Sequence, residues 1–151
     1  SQIMYTIREV KLSYIKEHQL TPINNQAIKS SLTSAETFRT IWEDDLDMIE
    51  RFYVLYLDNA NKVQSVSMIS MGGITGTVVD LRMVLATALK CLATSIIVAH
   101  NHPSGSLRPS AADLNLTKKI NEAGKVLDIA LLDHIILTEN SYYSFRDEGD
   151  L

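Results

Sequence analysis

Apolar and polar side chains follow the periods of strands most clearly from residue 51 onward. Residues 51–57 (RFYVLYL) are rich in strand formers and the next four (DNAN) are typical of a turn, so residues 62–70 are predicted as the return strand of a hairpin. Residues 95–99 (SIIVA) form a short run without charges, which predicts a strand in the centre of a sheet. Further strands are predicted within residues 126–137 and at residues 142–145.

Between these strands, apolar side chains recur at helical spacing. Residues 80–93 are predicted as a helix whose apolar face carries Leu81, Val84, Leu85, Ala88 and Leu92. Ser110 starts a further helix that is expected to end at Gly124. Ser34 is a favourable N-cap for a helix over residues 35–46. The acidic residues at the C-terminal end of that helix oppose the helix dipole, so the predicted helix end at residue 46 is disfavoured.

The first 33 residues are predicted as a lead-in to a single domain over residues 34–151. Within the lead-in, residues 5–12 fit an amphipathic strand and residues 22–31 a polar loop, and a second loop is expected at residues 71–76. Because strands and helices are mixed along the chain, the fold class is α/β, with helices covering both faces of a mixed sheet.

Composition narrows the range of functions. The net charge of the 151 residues is −4, so the chain lacks the overall basic charge typical of nucleic-acid binders, and a local basic patch is left open. The single cysteine, Cys91, excludes an internal disulfide and a cysteine-based zinc site, so a metal site must use His, Asp or Glu. No apolar run approaches the roughly 18 residues that span a membrane, and no signal peptide is recognised. We therefore expect a cytoplasmic protein; the sequence leaves its oligomeric state open.

One segment carries metal-site chemistry: His100, Asn101, His102, Pro103, six residues, Ser110, two residues and Asp113. Residues two apart at the end of a strand face the same side, with Cα atoms about 6.6 Å apart, so the two imidazoles can converge on one ion. Asp113 lies in the first turn of the following helix, where the dipole favours a carboxylate. Two histidines and an aspartate are ligands that zinc accepts, and three protein ligands leave a fourth position open, as in catalytic sites.

Each residue of this segment also has a plain structural explanation. A chance match to the five fixed positions has a probability on the order of 10⁻⁵, which makes the motif informative. A lone histidine is nevertheless more often structural than a ligand. Asp113 can be the partner of Ser110 in a capping box, and Ser110 can be only an N-cap. His134, in an apolar stretch, fits either a partner of a metal ligand or a satisfied core histidine.

The segment from His100 to Asp113 resembles the zinc motif of the JAMM (MPN+/JAB) metallopeptidases. The wider sequence resembles their bacterial RadC-like branch. The matching stretches are residues 52–58, 99–105, 109–113, 131–137 and 142–145, which together span most of residues 34–149. The resemblance implies a JAMM/MPN-like fold, related to that of cytidine deaminases.

The resemblance also implies roles for particular residues. The zinc ligands, one ion per chain, would be His100, His102 and Asp113, and Ser110 would assist the tetrahedral intermediate. The general base would be Glu50, directly before the 51–57 strand. Glu43 is the alternative for that role, and a solvated charge is the alternative explanation of Glu50. The implied activity is cleavage of peptide or isopeptide bonds by a zinc-activated water. The substrate would be a peptide or a protein, including ubiquitin-like modifiers.

Three departures from the family bear on this interpretation. Asn101 stands where JAMM deubiquitinases usually carry Ser or Thr, which favours the RadC-like branch and disfavours a deubiquitinase. Residues 80–82 read Asp-Leu-Arg where RadC-like chains usually have His-Pro-Arg, and the first 33 residues do not resemble the helix-hairpin-helix region of that family. Two other functions remain open: a RadC-type DNA-repair accessory protein, and a zinc-bearing interaction module without catalysis.

Overall fold

The computed structural model describes residues 2–20, 26–72 and 78–151. Three helices and five strands lie in these ranges. In chain order they are α1 (Ser31–Ile41), β1 (Arg51–Leu57), β2 (Val63–Met71), α2 (Leu81–Lys90), β3 (Ser95–Asn101), α3 (Ala111–Val126), β4 (Ala130–Leu137) and β5 (Tyr142–Ser144).

The five strands form one mixed sheet in the order β2-β1-β3-β4-β5. β3 pairs in parallel with β4, whereas the β1–β2, β1–β3 and β4–β5 pairs are antiparallel. β3 is central and every one of its residues is buried, as the uncharged run predicted. The hairpin of β1 and β2 was also predicted correctly, because strand formers and a polar turn are adjacent in the sequence.

Helices cover both faces of the sheet. On one face, Tyr53 and Leu55 pack in a cluster with Phe38 and Trp42 of the α1 segment. On the opposite face, side chains of β1 and β3 pack against helices α2 and α3 in a second cluster that includes Phe52, Val54, Val84, Val98 and Ile120. Successive side chains of β1 therefore point into two different apolar cores, one on each face of the sheet. The predicted α/β class, with a mixed sheet sandwiched by helices, is confirmed.

The first helix differs from its prediction at both ends. Ser30, and not Ser34, is the N-cap, because its hydroxyl accepts the N–H of Thr33. Ser34 is buried inside the helix. α1 ends at Ile41 because the backbone of Trp42 becomes extended, with φ −68° and ψ 145°. The acidic residues that would have opposed the helix dipole therefore lie outside α1.

The other two helices are shifted by a few residues. Asp80 caps α2, which ends at Lys90, and Leu92 adopts a positive φ of 56° beyond that end. Leu92 is consequently 86% exposed and does not belong to the buried face on which it was predicted. α3 continues past the predicted end at Gly124 to Val126.

The described part of the lead-in has no regular structure. Residues 2–20 contain no helix or strand, so the strand expected over residues 5–12 is wrong. Ile7 and Val10 are 93% and 84% exposed, and no other strand pairs with this segment in the described residues. Residues 22–25 and 73–76 of the two expected loops lie outside the described residues. The division of the chain at residue 33 stays a prediction.

Candidate metal centre

Two histidines meet at the C-terminal end of the central strand. His100 is paired with Phe52 of β1 and is 3% exposed. The N–H of His102 donates to the carbonyl of Leu137, which extends the pairing with β4 beyond the end of β3. His100 and His102 therefore face the same side, and their Nε2 atoms are 3.0 Å apart.

Asp113 places a carboxylate beside both imidazoles. Its Oδ1 lies 3.3 Å from Nε2 of His100, and its Oδ2 lies 3.3 Å from Nε2 of His102. Burial alone would raise the pKa of Asp113, but hydrogen bonds with the two histidines outweigh it and hold the pKa well below its usual range. The hydrogen bond with Asp113 correspondingly raises the pKa of His102.

The capping explanation of Asp113 also holds in the structure. Oδ2 of Asp113 accepts the N–H of Ser110 at 2.8 Å, and Oγ of Ser110 accepts the N–H of Asp113 at 3.0 Å. This reciprocal pair is a capping box at the start of α3. The cap holds the carboxylate at the helix end that faces the histidines, so capping and metal binding are compatible roles of one side chain.

Glu50 is the second carboxylate near the histidines. It is half-buried, and one of its oxygens lies within 4.8 Å of a ring nitrogen of His100 and of His102. These residues form a group of three that could hold a metal ion. Glu43, the alternative candidate for the base, is exposed and is not part of this group.

Asn101 is a structural determinant of the site that sequence reasoning treated only as a mark of the family branch. Its side chain is fully buried, and Nδ2 donates to the carbonyls of Leu46 and Ile49, each at 2.8 Å. Its Oδ1 accepts the N–H of Arg51 at 2.7 Å. The amide therefore binds the backbone on both sides of Glu50. The sequence did carry a signal for this role, since a polar residue stands between two histidines at the end of an apolar strand.

His134 is a further histidine, next to His100. It is fully buried in β4, and its Nε2 is 2.7 Å from Nδ1 of His100. Burial, followed by electrostatic repulsion from His100, lowers the pKa of His134 well below its usual value. The sequence left two explanations open for His134, a partner of a metal ligand or a core histidine. The structure shows features of both, since His134 is a core residue in contact with a candidate ligand.

Residues 28–150 match the family model of the RadC-like JAB domain. The chain belongs to this family. It is 50% identical over 120 residues to a UPF0758 protein of Flavobacterium johnsoniae, which covers 78% of this chain and 52% of the relative. It is 38% identical over 132 residues to a UPF0758 protein of Porphyromonas gingivalis, covering 85% of this chain and 58% of the relative. It is 43% identical over 102 residues to a UPF0758 protein of Streptococcus suis, covering 68% of this chain and 42% of the relative.

The resemblance found in the sequence of this RadC-like JAB domain is thus confirmed. The chain spans about half the length of the curated relatives that it matches. In the described ranges, no helix is both long and apolar enough to cross a membrane.

This RadC-like JAB domain has a group of donor atoms that could hold a metal ion. Ligands about 2.0–2.1 Å from a tetrahedral zinc lie about 3.3–3.4 Å from one another. Each oxygen of Asp113 lies at this distance from one imidazole, Oδ1 from Nε2 of His100 and Oδ2 from Nε2 of His102, and the 3.0 Å between the two imidazoles is slightly shorter. Nδ1 of His102 donates to the carbonyl of Ser106 at 2.8 Å, which leaves Nε2 as the ring nitrogen that faces Asp113 and His100.

Proposed function

We propose that this RadC-like JAB domain is a zinc-dependent hydrolase that cleaves peptide or isopeptide bonds. The observation that carries the proposal is the convergence of two imidazoles and two carboxylates, those of Asp113 and Glu50, at one end of the central strand. Histidine and carboxylate ligands also accommodate other divalent transition metals, so the metal is a testable part of the proposal.

In this proposal His100, His102 and Asp113 hold the ion. Three protein donors leave a coordination position for water or substrate. When bound, the ion would supply Lewis acidity, which polarises a carbonyl group and lowers the pKa of a water.

Glu50 is the proposed general base. Its carboxylate is near enough to the histidines to take a proton from a water in the site and to deliver it to the leaving amine. The backbone around Glu50 is fixed by the Asn101 amide and by a 2.8 Å hydrogen bond from the N–H of Gly72 to the carbonyl of Glu50. A fixed backbone restricts where the carboxylate can lie, which is what general-base catalysis requires.

Ser110 is the proposed oxyanion donor. Its Oγ accepts the N–H of Asp113, which leaves the hydroxyl proton free to donate to an oxyanion. Loss of one such donor typically lowers the rate by 10²- to 10³-fold.

A cleft of about 340 Å³ lies near the candidate site, and its lining includes none of Glu50, His100, His102 and Asp113. It lies between the loop that follows His102 and the turn between β4 and β5, and its lining includes Pro103, Leu107 and Asn140. We propose that a peptide or protein substrate, a ubiquitin-like modifier among the candidates, enters here.

The metal is tested by elemental analysis of purified protein. We expect near one zinc per chain in the wild type and a loss of the ion in His102→Ala, since that variant lacks one imidazole. Absence of metal from the wild type, even after reconstitution with zinc, would remove the hydrolase proposal.

The base is tested by Glu50→Gln, with Glu43→Gln as the matched control on an exposed glutamate. We expect Glu50→Gln to retain zinc and to lose turnover of peptide and isopeptide libraries, because an amide cannot accept the proton. Glu43→Gln should behave as wild type. Loss of the ion together with turnover in Glu50→Gln would identify Glu50 as a ligand and contradict its role as base. A metal-loaded wild type that cleaves no library member would favour the interaction module.

A further inference from the structure

Strand β2 is a long edge of the sheet that no described strand covers. It lies first in the order β2-β1-β3-β4-β5 and pairs with β1 alone. None of its nine residues is buried, whereas β5 at the opposite edge has only three residues. The free N–H and C=O groups of a long edge strand are a template for pairing with a further strand. β2 contains neither a proline nor a charged residue, the features that usually prevent such pairing.

Two irregularities in β2 limit where a further strand can pair. The register with β1 shifts at two places, where Gln64 and Ile69 have no partner residue. Bulges of this kind disturb the hydrogen-bonding pattern of a strand. Residues 65–68, between the two shifts, pair with β1 without interruption. Pairing of β2 with a further strand is therefore expected to centre on residues 65–68.

Residues 5–12 (YTIREVKL) have the length and composition of a strand but no partner strand among the described residues. Tyr5, Ile7 and Val10 are 86%, 93% and 84% exposed. Further exposed apolar side chains of the N-terminal segment are Ile3, Met4, Leu12, Tyr14 and Ile15. A surface with so many exposed apolar side chains marks an interaction site.

The N-terminal segment joins the domain beside β2. The N–H of Ile28 donates at 2.8 Å to the carbonyl of Asn61, in the turn that leads into β2. Leu20 and Val63, the first residue of β2, pack against the same buried cluster. The seven residues between the 5–12 segment and Leu20 span up to about 25 Å when fully extended, whereas neighbouring strands are only about 4.7–4.9 Å apart. The segment can therefore reach an edge strand that lies next to its own β2.

We propose that two copies of this chain form a dimer in which residues 5–12 of each copy add as a strand to the β2 edge of the other. In the described ranges the segment does not pair with its own β2, which favours a second copy as the partner. A two-fold axis that brings the two β2 edges together also brings each segment to the other copy's edge, because the segment leaves the domain there. The exchange makes the same contact twice, covers the apolar side chains of the segment and gives partners to the free backbone groups of β2.

The oligomeric state is tested by light scattering coupled to size-exclusion chromatography. We expect the wild type to have the mass of two chains and the double variant Ile7→Pro/Val10→Pro that of one, since proline cannot donate to a strand ladder. Backbone groups of successive residues in a strand point to opposite sides, so one of the two prolines removes a donor to β2 in any register. Lys16→Pro, in the exposed stretch after the segment, is the matched control and should remain a dimer. A monomeric wild type, or a double variant that stays dimeric, would overturn the proposal.

NMR of a mixed dimer decides which chains pair. In a dimer of one ¹⁵N-labelled and one ¹³C-labelled copy, we expect interchain contacts between residues 5–12 of one copy and residues 65–68 of the other. Amide protons of both stretches should exchange slowly with solvent in the wild type and lose this protection in the double variant. Slow exchange of residues 5–12 in a monomeric wild type would show that the segment pairs within its own chain, which contradicts the proposal. Interchain contacts of the segment with another surface would contradict it as well.

A different dimer, formed through helix α2, is excluded by a further variant. Met83 and Leu89 of α2 are each 52% exposed, so this helix also presents apolar side chains. We expect Met83→Lys to remain a dimer; a monomeric Met83→Lys variant would place the interface on α2 and contradict the proposal. Thermal unfolding establishes that each variant is folded. The Tm of the wild type should rise with protein concentration and that of the double proline variant should not, and an equal concentration dependence of the two would also overturn the proposal.

Discussion

The Asn101 side chain uses both amide protons and its carbonyl oxygen within the core. Two protons bind the carbonyls of Leu46 and Ile49, and the oxygen binds the N–H of Arg51. A carboxylate of the same size has no proton to donate, and a serine is too short to reach three backbone groups. The amide is therefore specific to this position, because buried polar groups must find partners.

At Asn101 we predict that replacement by aspartate destabilises the protein by about 2–4 kcal/mol, since two carbonyls would face an acceptor. The measurement is urea unfolding, with Asn115→Asp on the exposed side of α3 as the control, expected within about 0.5 kcal/mol of wild type. Equal stability of the two variants would show that the Asn101 bonds are not important for the fold.

Element boundaries depend on a few residues that satisfy or interrupt the backbone. Ser30, Asp80 and Ser110 cap the three helices with side-chain oxygens. At the other end of α3, the chain turns back so tightly that the N–H of Ile129 donates to the carbonyl of Gly124 at 2.8 Å. A Cβ at Gly124 would lie 2.3 Å from the carbonyl oxygen of Ile129. Gly124 therefore permits the close approach of α3 to β4.

Replacing Gly124 by alanine is expected to destabilise the protein by about 1–3 kcal/mol, although alanine favours helices. The clash is with backbone, which cannot rotate away. Thermal unfolding measures the effect, and Lys125→Ala at the neighbouring exposed position is the control. A Gly124→Ala variant as stable as the control would mean that the junction relaxes at no cost.

Over the whole molecule, the sheet separates two apolar cores and carries the candidate site at one end. Tyr56 of β1 shows how polar groups are accommodated in one of these cores. It is 1% exposed, and its hydroxyl lies 2.7 Å from Oγ of Ser67 on β2. Burial raises the pKa of Tyr56 to about 12, against the opposing effect of the Ser67 hydrogen bond. Global unfolding releases this phenol to water, which couples stability to alkaline pH.

The sign of this coupling follows from proton numbers. Between its ordinary pKa of 10.0 and about 12, the unfolded chain loses the Tyr56 proton while the folded chain keeps it. The free energy of unfolding is therefore unaffected below pH 10 and falls as pH rises, by at most about 3 kcal/mol from this group. Urea unfolding at pH 9 and 11.5 should show a smaller loss in Tyr56→Phe than in Tyr5→Phe, whose ring is exposed. Equal losses would contradict this assignment.

The sequence by itself determined the features that depend on neighbouring residues. The hairpin and the buried strand β3 follow from runs of strand formers, and the capping box follows from Ser110 and Asp113 three residues apart. The same-side placement of His100 and His102 follows from the two-residue period of a strand. These predictions succeed because backbone geometry relates residues that are close in sequence.

Only the tertiary structure decided the features that depend on distant segments. The exposed segment 5–12 has strand periodicity but no partner strand, and a strand requires inter-strand hydrogen bonds. The fixation of the backbone beside Glu50 by Asn101, across about 50 residues, and the contact of His100 with His134 depend on which buried donors meet which acceptors. Such pairings are set by the packing of β1, β3 and β4 side by side, because burial removes the water that would otherwise satisfy each group.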